Sequence, residues 1–195
     1  MRKTLKFLYP TFVLAAICLI VSLALSVTNA VTKDKIAEIS NENTKKAMSR
    51  VLEAETYTDA VIEIDGKEVT YYKAVSGGEV AGYIFITAAN GYGGEVRVMT
   101  AVLPDKTIKA VEILDVSSET PGLGQNSAKE GFYGQFAGKR NGITVVKSGA
   151  NSDKNEIDAV TGATITSRAV TKAVNEALDC ADEIIDKEAG ETSEE

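Results

Sequence analysis

Residues 158–167 read DAVTGATITS and gather the hydroxyls of Thr161, Thr164, Thr166 and Ser167 around Gly162 and Ala163, directly ahead of an amphipathic segment. Hydroxyls and a glycine at a strand-to-helix junction suit an anion. The first amides of a helix have no intrahelical acceptor and lie at the positive end of its dipole. The same residues also suit a plain helix start in which Thr166 or Ser167 is the cap. A third use is as the target of a covalent modification. The stretch is not a P-loop, because no Lys follows the glycine, and the dinucleotide pattern GxGxxG is absent.

Two further stretches carry unusual chemistry. GYGG at residues 91–94 allows a tight connection between strands, and equally a close backbone approach to a ligand. ETPGLG at residues 119–124 places Pro121-Gly122 as a type II turn, with Leu123 held out on a rigid loop before Gly124. The loop reads either as a surface turn or as cover for one face of a flat aromatic ligand, with Glu119 and Thr120 offering polar contacts.

Composition narrows what these stretches can do. The chain has no His, which excludes His-based hydrolytic triads and His-ligated zinc, and no metal site is expected. Its net charge of −7 argues against nucleic acid as a partner. Cys18 sits in an apolar run and Cys180 in a predicted helix, so neither a disulfide nor a redox pair is expected.

The elements that must position these residues are legible from periodicity. Segments rich in β-branched and aromatic residues at 61–64, 69–75, 80–89, 95–103 and 107–116 predict strands, with 104–106 (Pro-Asp-Lys) joining the last two as an antiparallel hairpin. Residues 143–146 read as one more strand, and a short helix is expected over 128–136. The last helix is expected to start near Ser167, its apolar positions at Val170, Ala173, Val174, Ala177, Leu178 and Ala181 making one packing face. The fold class is α+β: a largely antiparallel sheet packed with helices, preceded by one N-terminal transmembrane helix.

Residues 7–32 carry no charge and follow Arg2, Lys3 and Lys6, which is long enough to span a bilayer with the basic end in the cytoplasm. A cleaved signal peptide is the alternative, and a retained anchor is preferred because the apolar run exceeds most signal-peptide cores. Both readings put the rest of the chain outside the cytoplasm. The expected division is an anchor over 1–32, an extracytoplasmic domain over 33–185 and an acidic disordered tail over 186–195, since residues 179–195 carry eight acidic residues against one Lys.

GYGG, ETPGLG and the motif Dxx(S/T)GATx(S/T), here Asp158, Thr161, Gly162, Ala163, Thr164 and Thr166, together resemble the FMN-binding domain family found in the G subunit of the Rnf complex and the C subunit of the sodium-pumping NADH:quinone reductase. The resemblance spans essentially the whole chain, including the N-terminal anchor. It implies FMN joined by a phosphoester to Thr166, installed by a flavin transferase that cleaves FAD and releases AMP. It also implies Thr161, Gly162, Ala163, Thr164, Glu119, Thr120, Leu123 and Gly124 as cofactor contacts, and no catalytic acid or base in the chain itself. The implied role is electron transfer within an ion-translocating ferredoxin:NAD oxidoreductase complex in the cell membrane, beside its other subunits. A stand-alone exported flavoprotein and a non-redox anchored binding module are the alternatives. Many members of the family carry a His two residues before the Glu of ETPGLG, where this chain has Ser117.

Overall fold

The computed structural model describes residues 2–64 and 67–191; residues 1, 65, 66 and 192–195 lie outside the described part. The chain divides into two compact units, Met1–Thr44 and Lys45–Glu195. The first is helical, being most of helix α1 (Arg2–Val51). Its stretch Tyr9–Lys33 has a mean hydropathy of 2.5 and is nowhere buried. It is long and apolar enough to cross a membrane. Cys18 is exposed on it, and its thiol is free.

The second unit is built on a five-stranded antiparallel sheet in the order β1-β2-β3-β4-β5. Its strands are β1 (Thr56–Ile64), β2 (Lys67–Ser76), β3 (Glu79–Asn90), β4 (Glu95–Val102) and β5 (Ile108–Asp115). Each strand neighbours the next in sequence because every connection is short. The β4–β5 hairpin closes as its Pro-Asp-Lys sequence requires: Lys106 takes φ 65°, and Leu103 N–H reaches Thr107 O over 2.8 Å. Asp105 locks the turn by accepting the Thr107 amide at 3.0 Å.

A short helix, α2 (Glu130–Tyr133), flanked by 3-10 turns at Gly124–Ala128 and Gly134–Phe136, occupies the segment expected to be helical. The strand expected at 143–146 is β6 (Thr144–Val146). It joins no main-sheet strand and pairs in parallel with β7 (Glu156–Asp158), which leads into DAVTGATITS. The final helix, α3 (Thr164–Glu191), begins ahead of the expected Ser167 and continues past the expected tail boundary at residue 186. The last four tail residues, 192–195, lie outside the described residues.

Alternation along the strands gives the sheet two apolar faces. Tyr83, Phe85, Val96, Val98 and Val102 pack against Val170, Val174 and Leu178 of α3, while Ala74, Ile84, Met99 and Ala101 pack against Ala47, Met48, Val51 and Leu52. Ala169, Ala173, Ala177 and Ala181 are all buried and recur every fourth residue. That small-residue ridge lets α3 sit close enough to β3 for Thr87 Oγ1 to donate to Ala173 O at 2.8 Å. Each buried Val or Leu here contributes about 1.5–3 kcal/mol. Asn175 ties β6 to the same helix, its side-chain amide accepting from Ile143 N (3.1 Å) and donating to Ile143 O (3.0 Å).

Candidate functional site

Three loops meet where α3 begins. GYGG forms the β3–β4 connection, closed by Gly91 N–H to Gly94 O at 2.8 Å. ETPGLG lies beyond β5: Leu123 N–H returns to Thr120 O over 3.1 Å, and Gly122 takes φ 77°, the left-handed position that the Pro-Gly turn needs. The third is the segment 159–163 between β7 and α3, where Ala163 N–H closes on Val160 O at 2.9 Å.

At the centre stands one carboxylate. Glu119 is 2% exposed, and Thr166, in the first turn of α3, is 1% exposed. Thr166 Oγ1 donates to Glu119 Oε2 over 2.6 Å, and Gly93 N–H donates to Glu119 Oε1 at 3.0 Å. Burial pushes the Glu119 carboxyl up, but the Thr166 hydroxyl and the amides of Gly93, Tyr92 and Gly94 outweigh it and hold the group below its ordinary value. It is therefore an ionised carboxylate in a socket of donors.

The glycines are there to make that socket. A Cβ on Gly91 would lie 2.1 Å from Glu119 Oε1, and one on Gly93 2.1 Å from Ser118 O. A Cβ on Gly124 would lie 2.5 Å from Glu119 Oε2 and 2.9 Å from Thr166 Oγ1. None of the three has a positive φ, so space and not backbone freedom requires glycine. The close approach open to GYGG is made to Glu119 of the chain itself. Glu119 is correspondingly no exposed polar contact of the loop; its side chain is turned inward.

Above this pair opens a cleft of about 520 Å³, lined by Tyr92, by Glu119, Thr120, Leu123 and Gly124, and by residues 162–166. Thr166 is on its floor. Leu123 (44% exposed), Tyr92 (72%) and Ile165 (54%) stand around its mouth. Gly162, at φ 76°, leaves room for Leu123, whose Cδ2 would be 3.1 Å from a Cβ there. Thr164 lines the cleft, whereas Thr161 is exposed and outside its lining. Helix capping does not account for Thr166 or Ser167, since both lie inside α3. Ser167 is fully buried instead, accepting from Val160 N at 3.0 Å and donating to Ala163 O at 2.9 Å, which fixes the loop onto the helix.

Asp158 has a structural task a short way off. Its Oδ1 accepts the Ala150 amide at 2.8 Å, and its own amide donates to Gln135 Oε1 at 2.8 Å. A second groove of about 530 Å³ between β6 and α3, lined by Arg168, Lys172, Glu176 and Asp179 among others, contains none of the expected site residues. Among the described residues no group of His, Cys, Asp or Glu could hold a metal ion. Tyr92 and Ile165 at the cleft mouth are not evident from sequence; the one signal for them is an aromatic residue framed by glycines in GYGG.

Residues 91–179, which contain every part of the cleft, match the model of the FMN-binding domain. The chain is 39% identical over 163 residues to the G subunit of the proton-translocating ferredoxin:NAD(+) oxidoreductase complex of Clostridium ljungdahlii, an alignment covering 83% of this chain and 82% of that protein. It is 35% identical over 179 residues to the G subunit of the Na(+)-translocating complex of Acetobacterium woodii, covering 84% and 86%. The crystal structure of NqrC from Shewanella oneidensis superimposes with a TM-score of 0.52 at 25% identity, over 60% of this chain and 62% of that one. The C subunit of the Na(+)-translocating NADH-quinone reductase of Parabacteroides distasonis shares the fold, with a TM-score of 0.55 over 70% of this chain and 79% of that one. The cleft is thus that of an FMN-binding domain protein. The chain belongs to the G-subunit family of the Rnf-type ion-translocating ferredoxin:NAD(+) oxidoreductase complexes.

Proposed function

We propose that this protein is the membrane-anchored flavoprotein subunit of an ion-translocating ferredoxin:NAD oxidoreductase complex, carrying FMN as a phosphoester on Thr166 and passing electrons between cofactors of neighbouring subunits. The observation that carries this reading is the position of Thr166: the last residue of the motif, on the floor of the cleft, inside the first turn of α3. Ser167 N–H is the amide that closes onto Ala163 O, at 2.9 Å. The amides before it are those that a helix start leaves free for an anion. A phosphate bonded to Thr166 Oγ1 suits them. Leu123, Tyr92 and Ile165 offer apolar surface to a flat ring system, and Thr120 and Thr164 offer hydroxyls.

FMN, when bound, supplies the redox chemistry, and the chain's residues tether and orient it. The cleft has no His to activate a hydroxyl, so attachment is assigned to a separate flavin transferase. Tyr9–Lys33 acts as a retained anchor, with the domain on the extracytoplasmic side by the positive-inside rule. The full-length protein, coexpressed with a flavin transferase, is expected to gain the mass of one FMN less water. Thr166→Val is expected to gain nothing. An unchanged adduct on Thr166→Val would move the attachment point elsewhere, and no adduct on the wild type would remove the covalent reading.

A further inference from the structure

Glu119 and Thr166 form a donor–acceptor pair that an ester at Thr166 would dismantle. The hydroxyl donates to Oε2 over 2.6 Å, and an ester oxygen has no hydrogen to donate. An ionised Glu119 would then face the ester oxygen and, bonded to it, a negative phosphate, at a position only 2% exposed. Adjacent like charges out of water are strongly disfavoured. The carboxylate must either move away or become neutral.

Movement is left open only toward the cleft, which the group bonded to Thr166 would fill. Oε1 is held by Gly93 N–H at 3.0 Å, and the Cβ positions of Gly91 and Gly124 would lie 2.1 and 2.5 Å from the two carboxylate oxygens, so backbone walls both sides. Nor does a cation compensate. The β3–β4 connection turns Tyr92 toward the cleft and its backbone amides toward Glu119, the loop after β5 turns Thr120 and Leu123 to the cleft, and α3 turns Thr164 and Ile165. No Lys, Arg or second carboxylate lines the cleft among the described residues.

We infer that Glu119 is the proton-holding positioning residue of the loaded protein: once Thr166 carries a phosphoester, Glu119 is the neutral acid, and its Oε2–H donates to Thr166 Oγ1 along the same line in the reverse direction. This rests on Thr166 being the attachment point. On attachment the Thr166 O–H bond and the P–O–P bridge of a flavin dinucleotide break, and the Oγ1–P bond forms. AMP leaves with the bridging electron pair, and the proton set free is retained on Glu119. The three glycines then serve a purpose that a phosphate loop would not: they keep one carboxyl group from escaping the ester it must hold.

The test is infrared difference spectroscopy on the full-length protein in detergent, made with carboxyl-¹³C glutamate, before and after loading by a flavin transferase and FAD. Loading is expected to bring up one protonated-carboxyl C=O band that shifts with the isotope. Glu119→Gln, whose amide can donate to the ester oxygen in place of the acid, is expected to load, to lack the band and to melt at the loaded wild-type temperature. Glu119→Ala, which can donate nothing, is expected to melt lower when loaded. A flavin-loaded wild type without the band overturns the inference while leaving Thr166 in place. A wild type that takes no flavin by mass spectrometry overturns the attachment reading itself. The wild-type isotope measurement stands even if a Glu119 variant fails to fold.

Discussion

Gly124→Ala is the sharpest probe of the packing around Thr166. Gly124 is buried with no positive φ, so Ala costs nothing in backbone conformation. Its methyl, however, would lie 2.5 Å from Glu119 Oε2, 2.9 Å from Glu119 Cβ and 2.9 Å from Thr166 Oγ1. The carboxylate cannot swing aside while the GYGG amides hold it, and its Cβ is fixed by backbone. Overpacking of this kind costs about 1–3 kcal/mol. Losing the hydrogen bond from Thr166 to a charged acceptor adds about 1.5–3 kcal/mol. A combined loss of about 2.5–6 kcal/mol lowers the melting temperature of a domain this size by at least roughly 5 °C. Gly122→Ala is the control: nothing lies within 4 Å of its Cβ, but its φ of 77° is left-handed, which costs about 1–2 kcal/mol. Thermal and urea unfolding of the unloaded full-length protein should therefore rank Gly124→Ala well below Gly122→Ala. Gly124→Ala melting within about 2 °C of wild type would refute the close packing of Glu119 against Thr166.

Thr100 offers a second test, since its hydroxyl is fully buried without a partner among the described residues. Replacing an unsatisfied hydroxyl by a methyl removes a desolvation penalty, so Thr100→Val is expected to raise stability by about 1 kcal/mol, read from the urea midpoint. The unloaded protein should also show acid sensitivity traceable to Glu119. Its folded pKa is depressed by Thr166 and the GYGG amides against the opposing effect of burial. Its stabilisation is therefore complete above the unfolded value of about 4.3 and lost as pH falls through the folded value. The stability gap between wild type and Glu119→Gln should shrink steadily below pH ~4, while a gap constant with pH would exclude Glu119 as the titrating group.

Much of the fold is legible in the sequence because it is local. Runs rich in β-branched and aromatic residues across 80–89 and 95–103 announce strands, and Pro104-Asp105-Lys106 announces the hairpin. The last helix starts one turn earlier than its sequence suggests, since Thr164 and Thr166 are poor helix formers and good caps, and read as lying before the helix. What sets the start is Ala163 N–H folding back to Val160 O, a loop geometry with no local signature. The inward turn of Glu119 is illegible for a different reason. Its partners come from residue 93 in one loop and residue 166 in a helix, and no window around ETPGLG contains either. The membership of β6 in a second sheet is hidden similarly, because its register with β7 is set by Asn155 and the 147–154 loop as much as by its own Val residues.

The alanine ridge of α3 has a consequence for electron hopping. Tunnelling falls off exponentially with distance, so a donor that wobbles samples mostly poor geometries. Thr166 belongs to the first turn of the same helix that Ala169, Ala173, Ala177 and Ala181 press against the sheet. Farther along, Glu188 is bonded to Lys73 and Tyr83. Groups mounted on packed helices are held more tightly than groups on loops. A redox centre hung from Thr166 would ride on a stiff mast, and its hopping distance to a neighbour would be set by how two proteins dock, with little contribution from slack in the tether.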